Sequence, residues 1–248
     1  MSITDSLLAE LPSDATVKEV CVGAFWTAAV IERKGQQRCG LAAALRGKDH
    51  HQHGHFPVRD AGQLVEYDAL ELATLIRSDS LLEASIGMAT INALLEVDED
   101  TCVELNAENV IRERGAGKSV AIVGNFPFIG RLRSDVGQIW VLEMRPGPDD
   151  LPAEAAPDVI PQADVVAITS TSLINRTFEG LLSLCRPDAY VLLLGPSTPL
   201  SPILFDHGVD VLSGSLVDDI DSVLQLVVQG ATFRQVHRGG VQLVTMAR

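Results

Sequence analysis

The chain has 248 residues, 46% of them apolar and 21% charged, the balance of an ordinary globular protein. Its formal net charge of −14 argues against nucleic acid as a partner, because phosphates demand clustered Lys and Arg, and against an anionic membrane surface. Aromatic residues are only 4%, which calls for an aliphatic core, and the four cysteines (Cys21, Cys39, Cys102, Cys185) are too scattered for a disulfide framework.

Residues 2–11 place Ile3, Leu7, Leu8 and Leu11 on one side, which predicts a short amphipathic helix. The same segment lacks a basic start and a long apolar stretch, so no secretory signal is expected. No apolar run reaches the roughly 18 residues of a membrane span, and a cytoplasmic protein is expected. Residues 17–31 read as two strands about a turn at Gly23, and residues 39–45 as a third apolar run.

A polar loop, residues 46–55, comes next and carries His50, His51, His53 and His55. Imidazole is the commonest neutral metal ligand, so these four are the candidate metal ligands. The plainer alternative is a solvated loop, because no cysteine pair stands near enough to complete a structural zinc spacing. Helical spacing returns at residues 68–76 and again from 81 to about 95, capped by Asp79 or Ser80. On that second helix Ser85, Ala89 and Asn92 share a face small enough for another element to approach. Asn92 either points into a cleft or bonds a neighbouring carbonyl.

From about residue 108 the rhythm changes. Apolar runs at 119–123, 138–142, 164–168, 190–194, 209–212 and 241–245 alternate with helical stretches, notably 173–185 and 219–228. Such alternation predicts right-handed β-α-β units and a parallel sheet with helices on both faces. The fold class expected is therefore α/β, with a smaller α+β domain over residues 1–108 and the α/β domain over 109–248. Residues 146–161 form a long connection between the second and third strands of the latter.

Ligands of parallel sheets sit outside the carboxyl ends of the strands. The first run ends in Gly124-Asn125-Phe126-Pro127, a tight turn that is not G-x-G-x-x-G. Glu143, 19 residues after Gly124, stands where an acidic side chain commonly accepts a ribose hydroxyl, or is simply solvated. The third run ends in Thr169-Ser170-Thr171-Ser172, with Asn175 one turn on; one hydroxyl serves as a helix cap and the others are left for a ligand. The fourth ends in Gly195-Pro196-Ser197-Thr198-Pro199, hydroxyls held on a stiff backbone. Gly124, Asn125, Glu143, Thr169, Ser170, Thr171, Asn175, Gly195, Ser197 and Thr198, together with Asn92, are the candidate ligand-binding residues.

Residues 85–93 (Ser-Ile-Gly-Met-Ala-Thr-Ile-Asn-Ala), 124–128 (Gly-Asn-Phe-Pro-Phe), 163–177 and 195–200 together resemble the heavy-metal chelation family, first defined as a domain of unknown function. The likeness covers nearly the whole chain. It implies an N-terminal domain like the N-terminal domain of enolase, a C-terminal Rossmann-like domain, and a site in the cleft between them. The expected function is binding of a small polar or anionic ligand, such as a transition metal or metal chelate. The alternative is an enzyme that uses a nucleotide-like cofactor, a dinucleotide or S-adenosylmethionine, held partly by Glu143. No catalytic residue is legible, and self-association is left open.

Overall fold

A computed structural model describes residues 1–47, 57–103 and 106–248. The chain opens with α1 (Ile3–Glu10), started by the Ser2 hydroxyl accepting from the Asp5 amide. A three-stranded antiparallel sheet follows: β1 (Thr16–Val22), β2 (Trp26–Arg33) and β3 (Gln36–Ala43), with β2 in the middle. Next come α2 (Ala69–Ala73) and α3 (Leu81–Leu94), the latter capped by Ser80 rather than Asp79. Helix α3 is apolar on nearly every side, as expected of a helix buried all round.

Its small residues let it lie almost on the backbone of β3. A Cβ added to Gly40 would come within 2.0 Å of the Ala89 carbonyl oxygen, so only glycine permits this approach. The Ser85 hydroxyl accepts from the Leu45 amide (3.0 Å), and the Asn92 side-chain amide donates to the Leu41 carbonyl (2.9 Å).

The second half begins with α4 (Ala107–Gly115), a helix not anticipated from the sequence, capped by Asn106. The strands β4 (Ser119–Val123), β5 (Gln138–Glu143), β6 (Leu151–Pro152), β7 (Val165–Thr169), β8 (Tyr190–Leu194), β9 (Val211–Val217) and β10 (Val241–Ala247) form one seven-stranded sheet. Its order is β10-β9-β8-β7-β4-β5-β6. All neighbours are parallel except β10, which returns antiparallel to β9. The helices of this half are α5 (Ile129–Leu132), α6 (Ala156–Val159), α7 (Thr171–Ile174), α8 (Phe178–Ser183), α9 (Ile203–Asp206), α10 (Ile220–Val228) and α11 (Phe233–Arg238).

Three expectations need correction. The helix expected over 173–185 is two short helices, α7 and α8. Between them Arg176 adopts φ +62°, and the Asn175 side chain takes the Thr177 amide and hydroxyl (3.2 and 2.7 Å), a local bonding pattern that competes with helix. The strand expected at 209–212 is displaced to β9 and runs on to Val217, because its outer half is held by β10 rather than by β8. The connection 146–161, expected to run from the second strand to the third, carries a further short strand, β6, and α6.

The seven-stranded sheet is aliphatic on both faces, with Val120, Ile122 and Val165 on one side and Val166, Ile168 and Leu193 on the other. The small sheet is also covered on both faces. Ala29, Ile31 and Ala42 face the cluster that contains α3, while Ala28, Val30 and Leu41 pack with Val223 and Val227 of α10 and Val236 of α11. Helices from late in the chain thus complete a sheet formed at its beginning. Among the described residues no helix is long and apolar enough to cross a membrane.

Candidate functional site

The chain goes from β4 outward to β5 and β6, then returns to the other side of β4 to lay down β7 and β8. The order of strands therefore reverses between β4 and β7, and the crevice at their carboxyl ends is where such sheets bind ligands. Gly124 and Asn125 follow β4 there; Thr169, Ser170 and Thr171 end β7 and begin α7. Gly124 has φ +106° and its amide donates to the Leu142 carbonyl (2.9 Å), while Asn125 is exposed. The Thr169 and Thr171 hydroxyls are 3.0 Å apart and half-buried. One of them donates to the other, which leaves the acceptor's own proton free for a further partner.

Most of the remaining candidates are committed to the protein itself. No hydroxyl caps α7: Ser170 occupies the N-cap position without a side-chain bond, and its buried oxygen has no partner among the described residues. Ser172 donates to the Thr169 carbonyl (2.6 Å). The Ser197 hydroxyl accepts from the Ala43 amide (2.8 Å), and the Ser197 carbonyl accepts from the Asn92 side chain (3.2 Å). Asn92 and Ser197 are thus brought together, as partners of each other and of the outer edge of β3; of the two readings of Asn92, the carbonyl-bonding one matches its amide. Thr198 donates to the Gly195 carbonyl (2.7 Å). The Glu143 carboxylate accepts from the Met144 amide (2.9 Å), and the Asn175 side chain serves Thr177. His50, His51, His53 and His55 lie outside the described residues.

A large cavity of about 740 Å³ opens one strand over. The outer half of β9 and its partner β10 project past the end of β8 as a two-stranded ribbon, which forms one wall through Ser213, Gly214 and residues 241–245. Phe126, Pro127 and Phe128 from the turn after β4, and Gly195 and Pro196 from the turn after β8, form others. The start of α4 and the side chains of Phe233 and His237 on α11 complete it. Of the candidate ligand residues only Gly195 lines it. Its φ of +125° and the Ser170 oxygen, 2.8 Å from where a Cβ would stand, both require glycine.

The cavity is aromatic to a degree unexpected from the composition. Three of the chain's seven phenylalanines, Phe126, Phe128 and Phe233, line it. Phe126 stacks on Phe128 (centroids 5.3 Å apart, planes at 10°), and Phe233 stacks on His237 (5.8 Å, 15°). Trp26 of β2 buttresses Phe233 from behind, with centroids 5.3 Å apart. One charged cluster faces the same space. Arg131 grips both carboxylate oxygens of the buried Glu108 (2.9 and 2.6 Å) and Arg112 adds a third bond (2.7 Å). Together they hold the Glu108 carboxyl below its ordinary pKa despite its burial, the Arg131 bonds most of all. Sequence reasoning missed Glu108, Arg131, Phe233 and His237. The last two carried a readable signal, an aromatic and an imidazole four residues apart on a helix face.

A chelating site for a bare metal ion needs several convergent ligands. Among the described residues no group of three or more His, Cys, Asp or Glu side chains is placed to hold one. Three of the four thiols are also poorly suited, because soft-metal binding uses thiolate. Burial pushes Cys21 up to about 11, Cys39 to about 12 and Cys185 to about 11, leaving all three protonated at neutral pH.

The family model described as "Putative heavy-metal chelation" matches residues 106–246, and a second model of the same description matches residues 4–95. The chain belongs to this heavy-metal chelation family. An uncharacterised protein of Methanocaldococcus jannaschii is 26% identical over 250 residues, covering 97% of this chain and 93% of that one. A crystal structure of a protein of unknown function from the same family in Desulfitobacterium hafniense is similar with 26% identity and a TM-score of 0.84, over 99% of this chain and 98% of that chain. A second, from Pyrococcus horikoshii, has 20% identity and a TM-score of 0.83 over the same shares, and shows the fold alone. The family description names a chelated metal, and the described residues of this chain do not assemble a cage for a bare one.

Proposed function

We propose that the protein binds a small conjugated organic molecule, carried as its metal chelate, in the 740 Å³ cavity beside β8. The observation that carries this reading is the concentration of stacked aromatic pairs from two separate elements around one cavity of ligand size. Aromatic faces favour a flat π-system, and a ligand that brings its own donors removes the need for a protein cage. The crevice at Gly124, Asn125, Thr169 and Thr171 adjoins the cavity through Phe126 and is suited to the ligand's polar or anionic edge, its free hydroxyl proton acting as donor. This places the ligand within the second half of the chain, with β2 acting on it only through Trp26. Nothing favours the dinucleotide reading: the Glu143 carboxylate accepts from its own neighbour, and Phe126-Pro127 fills the turn where a pyrophosphate would need open backbone.

The test is what co-purifies. Native mass spectrometry and metal analysis of the protein from its own cells are expected to show a metal-bearing small molecule. The Phe126→Ala and Phe233→Ala variants are expected to lose at least nine-tenths of it. Equal loading of wild type and both variants, or no such molecule in the wild type, overturns the reading.

A further inference from the structure

The geometry points to His237 Nε2 as a protein ligand to the metal of the bound chelate, an inference that rests on the cavity reading above. The tautomer is set by a neighbour. His237 Nδ1 lies 2.8 Å from the Val241 carbonyl oxygen, which can only accept, so Nδ1 carries the proton. In the neutral ring the Nε2 lone pair then has no partner among the described residues, and His237 lines the cavity. A backbone carbonyl holding one imidazole nitrogen while the other binds metal is the usual outer-shell arrangement of metal-ligating histidines.

Two restraints fix the ring further. It stacks on Phe233, and Phe233 is backed by Trp26. A ligand that must meet an incoming complex at a defined angle benefits from such preorganisation. The absence of a three-residue cage among the described residues then ceases to conflict with a metal. A metal already held by an organic chelator needs only one open position filled. When a chelate binds, Nε2 would give its lone pair to the metal in place of a coordinated water, while the proton would stay on Nδ1, donated to the Val241 carbonyl oxygen. Charge agrees with a cationic complex. Asp218 lines the same cavity, Glu108 is already neutralised by Arg131 and Arg112, and the whole chain carries −14.

The experiment uses Cu(II)–terpyridine, a flat aromatic chelate with one equatorial position open, on the full chain with His50, His51, His53 and His55 replaced by Gln so that the loop does not compete. Electron paramagnetic resonance is expected to show a fourth equatorial nitrogen, and Trp fluorescence titration to give the affinity. In His237→Gln the fourth-nitrogen coupling is expected to vanish and the affinity to fall at least tenfold. Millimolar imidazole is expected to restore the coupling within the variant's cavity. An unchanged spectrum and affinity in His237→Gln overturn the inference. If Phe126→Ala weakens the probe while His237→Gln does not, the aromatic cavity stands and the coordination falls. If neither substitution weakens it, or no binding is seen, both fall.

Discussion

Asp164 shows how a single side chain joins two strands. It precedes β7, and its carboxylate accepts from the Ser119 amide (2.9 Å) and hydroxyl (2.7 Å) at the start of β4 and from Arg186 (2.8 Å). The Ser119 amide bond, then its hydroxyl, then Arg186 draw the Asp164 pKa down to about 2 from 3.8. A carboxylate depressed on folding stabilises the native state above its unfolded value, and that stability is lost as pH falls through the folded value. Asp164→Asn is therefore expected to be less stable than wild type at pH 7. The difference should shrink below pH 3.8 and close near pH 2, as read from denaturant midpoints across that range. A difference independent of pH would show that the carboxylate's charge is not what Asp164 contributes. The same scale explains why most hydroxyls read as ligand groups in the sequence are internal. The strand ends at Thr169 and Leu194 were legible, but an amide such as that of Ala43, distant in sequence and met only in the fold, could not be seen competing for Ser197.

At the scale of elements, the hydrophobic rhythm located all three strands of the small sheet and all but the two-residue strand of the large one. What escaped were pieces whose pattern is set by tertiary contacts. Helix α4 is mostly polar, and its capping residue Asn106 announces it only once the strand behind it is known. The antiparallel turn of β10 is not encoded in its own residues, because a buried strand reads the same in either direction. The crossing of α3 over β3 was half visible, in the small residues of one helix face; its counterpart, Gly40, was not. Gly40→Ala would put a methyl 2.0 Å from one α3 carbonyl oxygen and 2.4 Å from the Ala93 nitrogen. Overpacking of that kind costs about 1–3 kcal/mol or more, and backbone atoms give way less readily than side chains. Urea denaturation of Gly40→Ala is expected to show a loss in or above that range, while Gly35→Ala, whose Cβ would meet nothing within 4 Å, should lose only what its φ of +76° demands.

For the whole molecule, the division near residue 108 is our proposal for how the chain is organised, and the packing predicts how those parts behave. The cluster under α3 runs without a break into Val166, Ile168 and Leu193 of the large sheet, and the other face of the small sheet is closed by α10 and α11. Removing one half would expose apolar faces of the other. Thermal unfolding of the intact chain is accordingly expected to be a single transition, with calorimetric and van't Hoff enthalpies in agreement. Two resolved transitions would show that the halves hold themselves up separately. The family likeness was legible because three of its four motifs include strand ends, where backbone geometry restricts the choice of residue, and the fourth is the small-residue face of α3. The cavity was not legible, because its aromatic walls come from residues more than a hundred positions apart, Phe126 and Phe233.

The turn from Gly195 to Thr198 belongs to two structures at once. Its first two residues are cavity wall, while Ser197 grips the Ala43 amide and Asn92, and the Pro196 carbonyl is tied to the Ser215 hydroxyl (2.9 Å). Four residues of backbone cannot be displaced at one end and left in place at the other. The small sheet's outer strand is therefore hinged to the cavity wall like a door to its frame. Occupancy of the cavity and the seating of β3 share one mechanical part, although the two lie more than 150 residues apart along the chain.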